Sequence, residues 1–298
     1  MSPASPWQPL PLADWQDTKD TLQLYMQVAG KLRLALAPPE PQWAQVTLYV
    51  TTRGLTTSPI PYDPGAFSVD FDFIAHELII ARDDGRKRTL PLGPRPVSSF
   101  YDAVMSLLAD IGVKVAISPI PQEVADLTPL DQDNKHASYD AAYVHRFWQI
   151  LVVVDKLLKR HRAPFLGRHT PVHFFWGSFD LAYTRYTGKP ATPPKGAPWL
   201  YRTSMDAEEI YAGFWPGDAR FPEPAFGCYI YPKPADVEQR KLRPASAFWS
   251  GQLNEFLLRY DDVRNAPSPE TAVLDFLDSS YHECSKCGNW DSTLLPSA

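Results

Sequence analysis

The sequence predicts an α+β protein made of two similar halves, each a mainly antiparallel sheet covered by a long helix. Amphipathic helical segments flank groups of short strand patterns, and the order helix, strands, helix occurs twice along the 298 residues. Short turns and not helices join the predicted strands, which favours antiparallel pairing. We place the halves at residues 1–120 and 121–298, packed together as one compact unit. Gene duplication and coincidence both remain open as explanations of the repeated order.

The first half begins with a helix and continues as strands. Apolar residues recur at helical spacing over about residues 18–36, and Pro38 ends the helix. The segment WAQVTLYVTTRGLT alternates apolar and polar residues as one strand, and FSVDFDF and HELIIAR predict two more. The turn DDG at residues 83–85 leads into RKRTLPL. The segment SFYDAVMSLLADIG predicts the closing helix, which Gly112 ends.

The second half repeats this order. A helix is predicted from about Tyr139 to Arg162, and VHFFWGSFDLAYTRYTG takes the place of the first strand region. Glu208 and Glu209 follow Ser204 at a spacing typical of a helix start. FGCYIYPKP and SAFWSG predict short strands, and SPETAVLDFLDSSYHE predicts a closing helix with a serine cap and a proline in its first turn.

Composition bounds the partners and the compartment. The net charge of −5 provides no cationic surface for nucleic acid or for an anionic membrane. The longest apolar run, residues 150–154, is too short to cross a bilayer, and the N-terminal residues show no secretory leader. Three cysteines in a long chain favour a reducing compartment, so we expect a bacterial cytoplasm. The oligomeric state stays open.

Several strings that span most of the chain resemble an uncharacterised bacterial family of unknown function. They include VTLYVTTRGLTTSPIPY, DNKHASYDAAYVHRFW and PVHFFWGSFDLAYTRYTG. The resemblance implies no activity and no cofactor. Relatives often carry histidine where this chain has Gln23 and Ala207, so the resemblance implies no metal site that needs those two side chains.

The stretch HFFWGSFD, residues 173–180, has two interpretations. Strand alternation puts His173 and Phe175 on one face, and Gly177 marks a bulge or a close backbone approach. One interpretation is a core strand whose polar groups find buried partners. The other is a pocket wall, with His173 as general base or ligand and Asp180 as its partner or as a substrate contact.

Other candidate residues lie outside this stretch. His145, Arg146 and Trp148 lie on the predicted helix of the second half, where a structural role is the alternative. Glu208 is a candidate acid or base facing His173, and Arg53 is a candidate for binding an anion. The catalytic candidates are His173, Asp180, His145 and Glu208, and the ligand-binding candidates are Trp176, Phe175, Trp148, Arg146 and Arg53.

The sequence carries few metal or phosphate signatures. Two residues separate Cys284 from Cys287, and His282 lies close by. A structural zinc site, however, usually needs a second such cysteine pair. We therefore expect no metal and no structural disulfide there. Glycine-rich phosphate loops, H-E-x-x-H and G-x-S-x-G are also missing. The sequence does not indicate a cofactor.

Three functional hypotheses follow. The first is a small-molecule enzyme with a polar site in a cleft between the halves. The second is a non-catalytic binding module with aromatic walls that include Trp176 and Trp215. The third is a protein-interaction module. For the first two we expect His173 and Asp180 to face a solvent-reachable pocket, with Glu208 and His145 on opposing walls.

Overall fold

The computed structural model describes residues 5–295 and confirms the α+β fold class, with two antiparallel sheets and several helices. The α-helices within these residues are α1 Gln16–Leu36, α2 Val97–Asp110, α3 Ala141–Arg162, α4 Trp199–Ser204, α5 Tyr260–Arg264 and α6 Pro269–Cys287. The four long helices match the four that the apolar spacing predicts. None of the helices between residues 5 and 295 is both long and apolar enough to span a bilayer.

The first sheet is an antiparallel meander in the order β1-β2-β4-β5-β6, with β3 paired to β4. Its strands are β1 Tyr49–Val50, β2 Gly54–Thr56, β3 Ile60–Tyr62, β4 Gly65–Asp72, β5 Glu77–Arg82 and β6 Lys87–Pro91. Helix α1 packs against β3 and against α2, and α2 packs against β6. The buried alternate residues of β4 and β5 face these helices because side chains along a strand alternate between its two faces.

The prediction of one continuous strand over WAQVTLYVTTRGLT is wrong. Residues Pro41–Val46 form a 3₁₀ helix in which Gln42 and Trp43 have positive φ angles of 53° and 61°. Strand β1 begins only at Tyr49. The alternating apolar residues are buried, but they do not all belong to one strand. Leu48 pairs with Phe174 of the second half and not with a strand of the first sheet.

The second sheet has the order β12-β13-β11-β10-β9-β7, with β8 paired to β9. All its neighbouring strands are antiparallel. Its strands are β7 Arg168–His169, β8 His173–Phe175, β9 Asp180–Pro190, β10 Ala207–Trp215, β11 Ala225–Tyr231, β12 Phe248–Ser250 and β13 Glu255–Arg259.

The predicted helix start at Glu208 and Glu209 is wrong, because these residues open the long strand β10. The helix in this region is α4, which ends at Ser204. The hydroxyl of Ser204 donates to the Leu200 carbonyl and does not cap a following helix. The segment AEEIYAGFW alternates with the period of two that a strand requires, and this pattern outweighs the local capping pattern.

The two faces of the second sheet have different coverings. Helix α3 packs on β9 and β10, as predicted, and α6 packs on β10 and β11. Side chains that point to the helices include Tyr183, whose hydroxyl contacts His161 Nδ1 of α3, and Arg185, which lies 4.2 Å from the Tyr281 ring of α6. Within the described residues, no long helix packs along the opposite face, which is covered by irregular and short helical segments from both halves.

Backbone hydrogen bonds join the two halves, among them an isolated β-bridge between Leu48 and Phe174. The Leu48 amide donates to the Phe174 carbonyl at 2.9 Å, and the Phe174 amide donates back to Leu48 at 2.8 Å. Both halves show the order helix, antiparallel strands, helix. They differ at the end of the sheet, where β12 lies outside β13 in the second half only. The boundary at residue 120 and the internal duplication stay predictions.

Candidate functional site

A cavity of about 780 Å³ lies on the loop-covered face of the second sheet. Its floor consists of residues from β9, β10, β11 and β13. Its walls are formed by residues 42–46 and 122–123 and by the segment 198–205. Residues 42–46 belong to the first half, so the cavity lies where that half meets the sheet of the second.

Two glycines of neighbouring strands form part of the floor. Gly213 of β10 pairs with Ala182 of β9 on one side and with Gly227 of β11 on the other. A Cβ atom on Gly213 would lie 2.4 Å from Tyr211 Oη and 2.7 Å from Ala182 Cβ. A Cβ atom on Gly227 would lie 2.8 Å from Glu255 Oε2. Glycine at these positions therefore lets the neighbouring tyrosine and glutamate side chains lie across the sheet.

The next row places two tyrosines side by side. Tyr211 and Tyr229 are direct partners in the β10–β11 register, and their rings stack with centroids 4.8 Å apart and planes 9° apart. The Tyr211 hydroxyl donates to Asp180 Oδ2 at 2.6 Å. The two rings therefore lie face to face as an aromatic pair, with the Tyr211 hydroxyl bonded to a carboxyl group.

Asp180 is positioned by the hairpin that contains the stretch HFFWGSFD. Strand β8 ends at Phe175, which pairs with Asp180, and residues 176–179 form the turn. Ser178 Oγ donates to the second carboxylate oxygen of Asp180. Burial raises the pKa of Asp180 above its usual value, and the hydrogen bonds from Ser178 and Tyr211 oppose that rise. The carboxyl group is thus held by two hydroxyl donors and no cation.

Gly177 lies in this turn and not in a strand bulge. Its carbonyl accepts a hydrogen bond from Gln23 Nε2 of α1 at 2.5 Å. A Cβ atom on Gly177 would lie 2.1 Å from Glu123 Oε2, so the glycine permits the close approach of the 122–123 segment. Of the two alternatives for Gly177, the close backbone approach is therefore correct and the bulge is wrong.

His173 lies on the cavity wall with only 1% of its surface exposed. Its Nδ1 atom is 2.9 Å from Thr47 Oγ1, and Thr47 donates its hydroxyl hydrogen to the Ala44 carbonyl. The threonine oxygen therefore accepts from Nδ1, which leaves Nε2 as an acceptor without a partner. Burial, with smaller effects of Arg33 and Arg162, lowers the pKa of His173 to about 4. The imidazole is neutral at physiological pH.

Three further carboxyl groups line the cavity. Glu209 is 4% exposed, and burial together with the neighbouring Asp206 raises its pKa to about 8. Burial and the nearby Asp180 raise the pKa of Glu255 to about 8. The pKa of Glu123 rises to about 7 from the same two causes, but its side chain is exposed at the rim. Glu209 is buried and Glu255 is half-buried, so both are more shielded from water than Glu123.

The cations at the cavity are paired with other groups. Arg220 binds Asp218 through Nε and Nη2, with its shortest contact at 2.7 Å. Lys233 Nζ lies 3.4 Å from Glu238 and 3.3 Å from Asn254. Within residues 5–295, no cationic side chain forms an ion pair with any of the four cavity carboxyl groups.

The mouth of the cavity is aromatic and has unusual backbone geometry. Trp199 is 60% exposed and packs edge-on against Trp43 at 4.5 Å between ring centroids. Positive φ angles in residues other than glycine occur at four lining residues and directly before Asp180. These residues are Gln42, Trp43, Glu123, Asn254 and Phe179. Such conformations cost on the order of 1–3 kcal/mol each and tend to cluster at functional sites.

The structure brings four of the nine sequence candidates together: His173, Asp180, Phe175 and Trp176 line the cavity. It places the other five elsewhere. Glu208 accepts from Thr187 Oγ1 at 2.9 Å and does not line the cavity, although its neighbour Glu209 does. Adjacent strand residues point to opposite faces, so the expectation for Glu208 is off by one position.

The remaining four candidates contact the first half of the chain. His145 Nδ1 lies 3.0 Å from the Phe73 carbonyl oxygen. Arg146 Nη1 donates to Pro9 O, Trp148 Nε1 donates to Thr51 O, and Arg53 Nε pairs with Asp72. Their polar groups therefore have protein partners away from the cavity.

The cysteines are all free thiols in the structure. Cys284 is buried and hydrogen-bonded to Cys228, and Cys287 is half-buried at the end of α6. Between residues 5 and 295, no group of three or more histidine, cysteine or acidic side chains is arranged to hold a metal ion. Gln23 donates to a backbone carbonyl, and Ala207 opens β10.

Several lining residues escaped the sequence analysis. Glu209, Tyr211 and Tyr229 lie on one face of β10 and β11, and Glu255 opens β13. The alternation of apolar and polar residues in AEEIYAGFW and in FGCYIY could have placed Glu209, Tyr211 and Tyr229 on one face of the sheet. No local pattern indicates Glu123, which lies in an irregular segment.

These features define a class of protein: an α+β chain with an acidic, aromatic cavity on a sheet face. The model of a family of unknown function, DUF5996, matches residues 7–297, and the chain belongs to this family. No curated protein and no solved structure matches the chain significantly.

Proposed function

We propose that this protein binds a small organic molecule in the cavity on its second sheet. The observation that carries the proposal is a cavity of about 780 Å³ with a small-residue floor and aromatic walls. Ligand pockets typically have about 300–1,000 Å³ and combine apolar walls with a few polar groups that fix orientation. His173 and Asp180 would supply polar contacts, and Phe175 and Trp176 would supply part of the wall.

The test uses the exposed tryptophan at the mouth. A set of single-ring aromatic alcohols, amines and acids is titrated against the protein while the tryptophan fluorescence is followed. Trp199→Ala should weaken binding about fivefold or more, because it removes one aromatic wall and contributes little to the core. Leu166→Ala is the matched control, since Leu166 is also exposed, at 69%, and lies outside the cavity.

The outcome distinguishes a cavity ligand from surface binding. Binders that lose affinity in Trp199→Ala and keep it in Leu166→Ala support the proposal. Binders that respond equally to both variants, or a complete lack of binders, contradict it.

A second candidate function is general acid–base catalysis in the same cavity. It is favoured by carboxyl groups whose pKa values lie near neutral pH, about 8 for Glu209 and Glu255. Groups with such values can both give and accept protons at neutral pH. Bacterial metabolite extract is incubated with the protein and analysed by mass spectrometry. A metabolite depleted by the natural protein and not by Glu255→Gln supports catalysis, and unchanged extracts contradict it.

We also propose that the protein works in a reducing compartment, the bacterial cytoplasm, and binds no nucleic acid. The three free thiols support the compartment, since Cys284 lies beside Cys228 without forming a disulfide. The net charge of −5 and the acidic cavity support the second point, because both repel phosphate groups.

A further inference from the structure

We infer that the ligand of the cavity is an organic cation, an aromatic or alkyl ammonium compound. This inference rests on the proposed function and specifies the substrate class for the same site. It follows from three observations: four carboxyl groups line the cavity without an ion-pair partner among the described residues, the buried His173 Nε2 acceptor has no donor there, and the walls are aromatic.

The acceptors come from separate elements. Asp180 begins β9, Glu209 lies on β10, Glu255 begins β13, and Glu123 lies in the irregular segment before α3. A buried carboxylate without a positive partner is unfavourable, which is why the pKa values of these groups are raised. A cation that enters the cavity favours their ionised form and pairs with it, whereas an anion is repelled by it.

His173 is an independent observation that points to a hydrogen-bond donor. His173 lies on the cavity wall with 1% of its surface exposed. Its Nε2 atom has no hydrogen-bond partner. Because Nδ1 donates to Thr47, Nε2 can only accept. An ammonium N–H group supplies the missing donor, whereas a carboxylate or phosphate ligand cannot.

The protein does not neutralise the cavity with its own cations. Arg220 is held by Asp218, and Lys233 lies beside Glu238 and Asn254. Neither Asp218 nor Glu238 lines the cavity. Arg220 and Lys233 line the cavity, and Arg220 lowers the pKa of Glu123 and Glu255 to a small extent, but neither cation forms an ion pair with a cavity carboxyl group. The four carboxyl groups therefore remain available to pair with a ligand.

Aromatic rings complete the recognition of a cation. The stacked rings of Tyr211 and Tyr229 form the floor, and Trp43 and Trp199 stand at the mouth. Ring faces attract ammonium groups, and the attraction is strongest where water is excluded. A single ring on the ligand can stack on the same surface, so the best ligands combine an amine with an apolar or aromatic body.

The test compares three probes of equal carbon number by isothermal titration calorimetry at about pH 8, where a carboxyl of raised pKa is substantially ionised. The probes are phenethylammonium, phenethyl alcohol and phenylacetate. Phenethylammonium should bind about tenfold tighter than the alcohol, and phenylacetate should bind most weakly.

Charge-removing variants locate the effect. Glu209→Gln and Glu255→Gln should each weaken phenethylammonium binding about fivefold and leave phenethyl alcohol binding unchanged. Glu208→Gln is the matched control, because it removes the same charge from the neighbouring residue outside the cavity.

The outcomes separate the two proposals. If the alcohol binds as tightly as the ammonium, or phenylacetate binds best, with all probes sensitive to Trp199→Ala, then the cation inference is overturned and the small-molecule cavity stands. If none of the probes binds in a way that depends on Trp199, both fail. Equal losses in Glu208→Gln and Glu209→Gln would also overturn the cation inference.

Discussion

Asp180 shows how a buried carboxyl group depends on individual donors. It is 6% exposed and accepts hydrogen bonds from Ser178 and from Tyr211. Tyr211→Phe leaves one carboxyl oxygen without its donor, and we expect a loss of about 1–2 kcal/mol in the free energy of unfolding. Tyr231→Phe is the control, since that hydroxyl donates to an exposed backbone carbonyl. Urea denaturation measures both, and equal losses would contradict this role of Tyr211.

Polar side chains that interrupt an aromatic run were chosen as site candidates, and their functional role stays a prediction. His173 and Asp180 stand out in HFFWGSFD, and the structure places both on the cavity wall. Glu209 could not be chosen over Glu208, because Ser204 and the acidic pair also fit a helix start. Only strand alternation in β10 decides which of the two glutamates faces the cavity.

At the element scale, helix α3 depends on its N-cap. Asp140 accepts from the backbone amides of Ala142 at 2.9 Å and Tyr143 at 3.1 Å. Asp140→Ala should lower the free energy of unfolding by about 1 kcal/mol, because two amides lose their acceptor. Ser268→Ala at the start of α6 should cost less, since its contact to the Thr271 amide is 3.4 Å long. Thermal denaturation of both variants measures this, and a larger cost at Ser268 would contradict it.

The helices were predictable because each carries an apolar stripe of regular spacing over many residues. Short strands were less predictable, since two or three residues give no measurable period. The segment before β1 shows the difficulty: Leu48 is fully buried and reads as a strand position, yet it pairs with Phe174 of the other half. Its partner lies 126 residues away, which no local pattern can indicate.

At the scale of the whole molecule, the buried glutamates make stability depend on pH. In the folded state the pKa values of Glu209 and Glu255 are about 8, above the value of 4.5 for an unperturbed glutamate. At a pH between these two values the folded state therefore binds more protons than the unfolded state. The free energy of unfolding must then fall as pH rises from about 6.5 to 8, by about 1–2 kcal/mol for each group. Below this window the histidines oppose the trend, because burial lowers the pKa of His173 and of His161.

Chemical denaturation at several pH values tests this dependence. Glu209→Gln should flatten the fall between about pH 6.5 and 8, because it removes one group that releases a proton in this window. Glu208→Gln is the matched control and should keep the natural slope, since the Glu208 side chain lies outside the cavity and accepts a hydrogen bond from Thr187. Stability that rises through the window in the natural protein would contradict the raised pKa values.

The sequence suggests a cleft between the halves, but the segments that form the walls of this cavity could not be predicted from it. Its walls come from residues 42–46, 122–123 and 198–205, which are far apart along the chain and form no long regular element. Their convergence depends on the packing of the first half against the second sheet. The net charge predicts no cationic surface. Composition cannot show, however, that Arg220 pairs with Asp218 and that Lys233 lies beside Glu238.

The inferred ligand is an ammonium compound whose nitrogen lies against the carboxylates of the cavity. A crystal structure of the protein with phenethylammonium would locate that nitrogen. We expect the phenyl ring to contact Tyr211 or Tyr229, and the nitrogen to lie within about 4 Å of a carboxylate oxygen of Glu209, Glu255 or Asp180. Density for the probe only outside this cavity, or with the nitrogen directed to solvent and away from all three carboxylates, would contradict ammonium binding at this site.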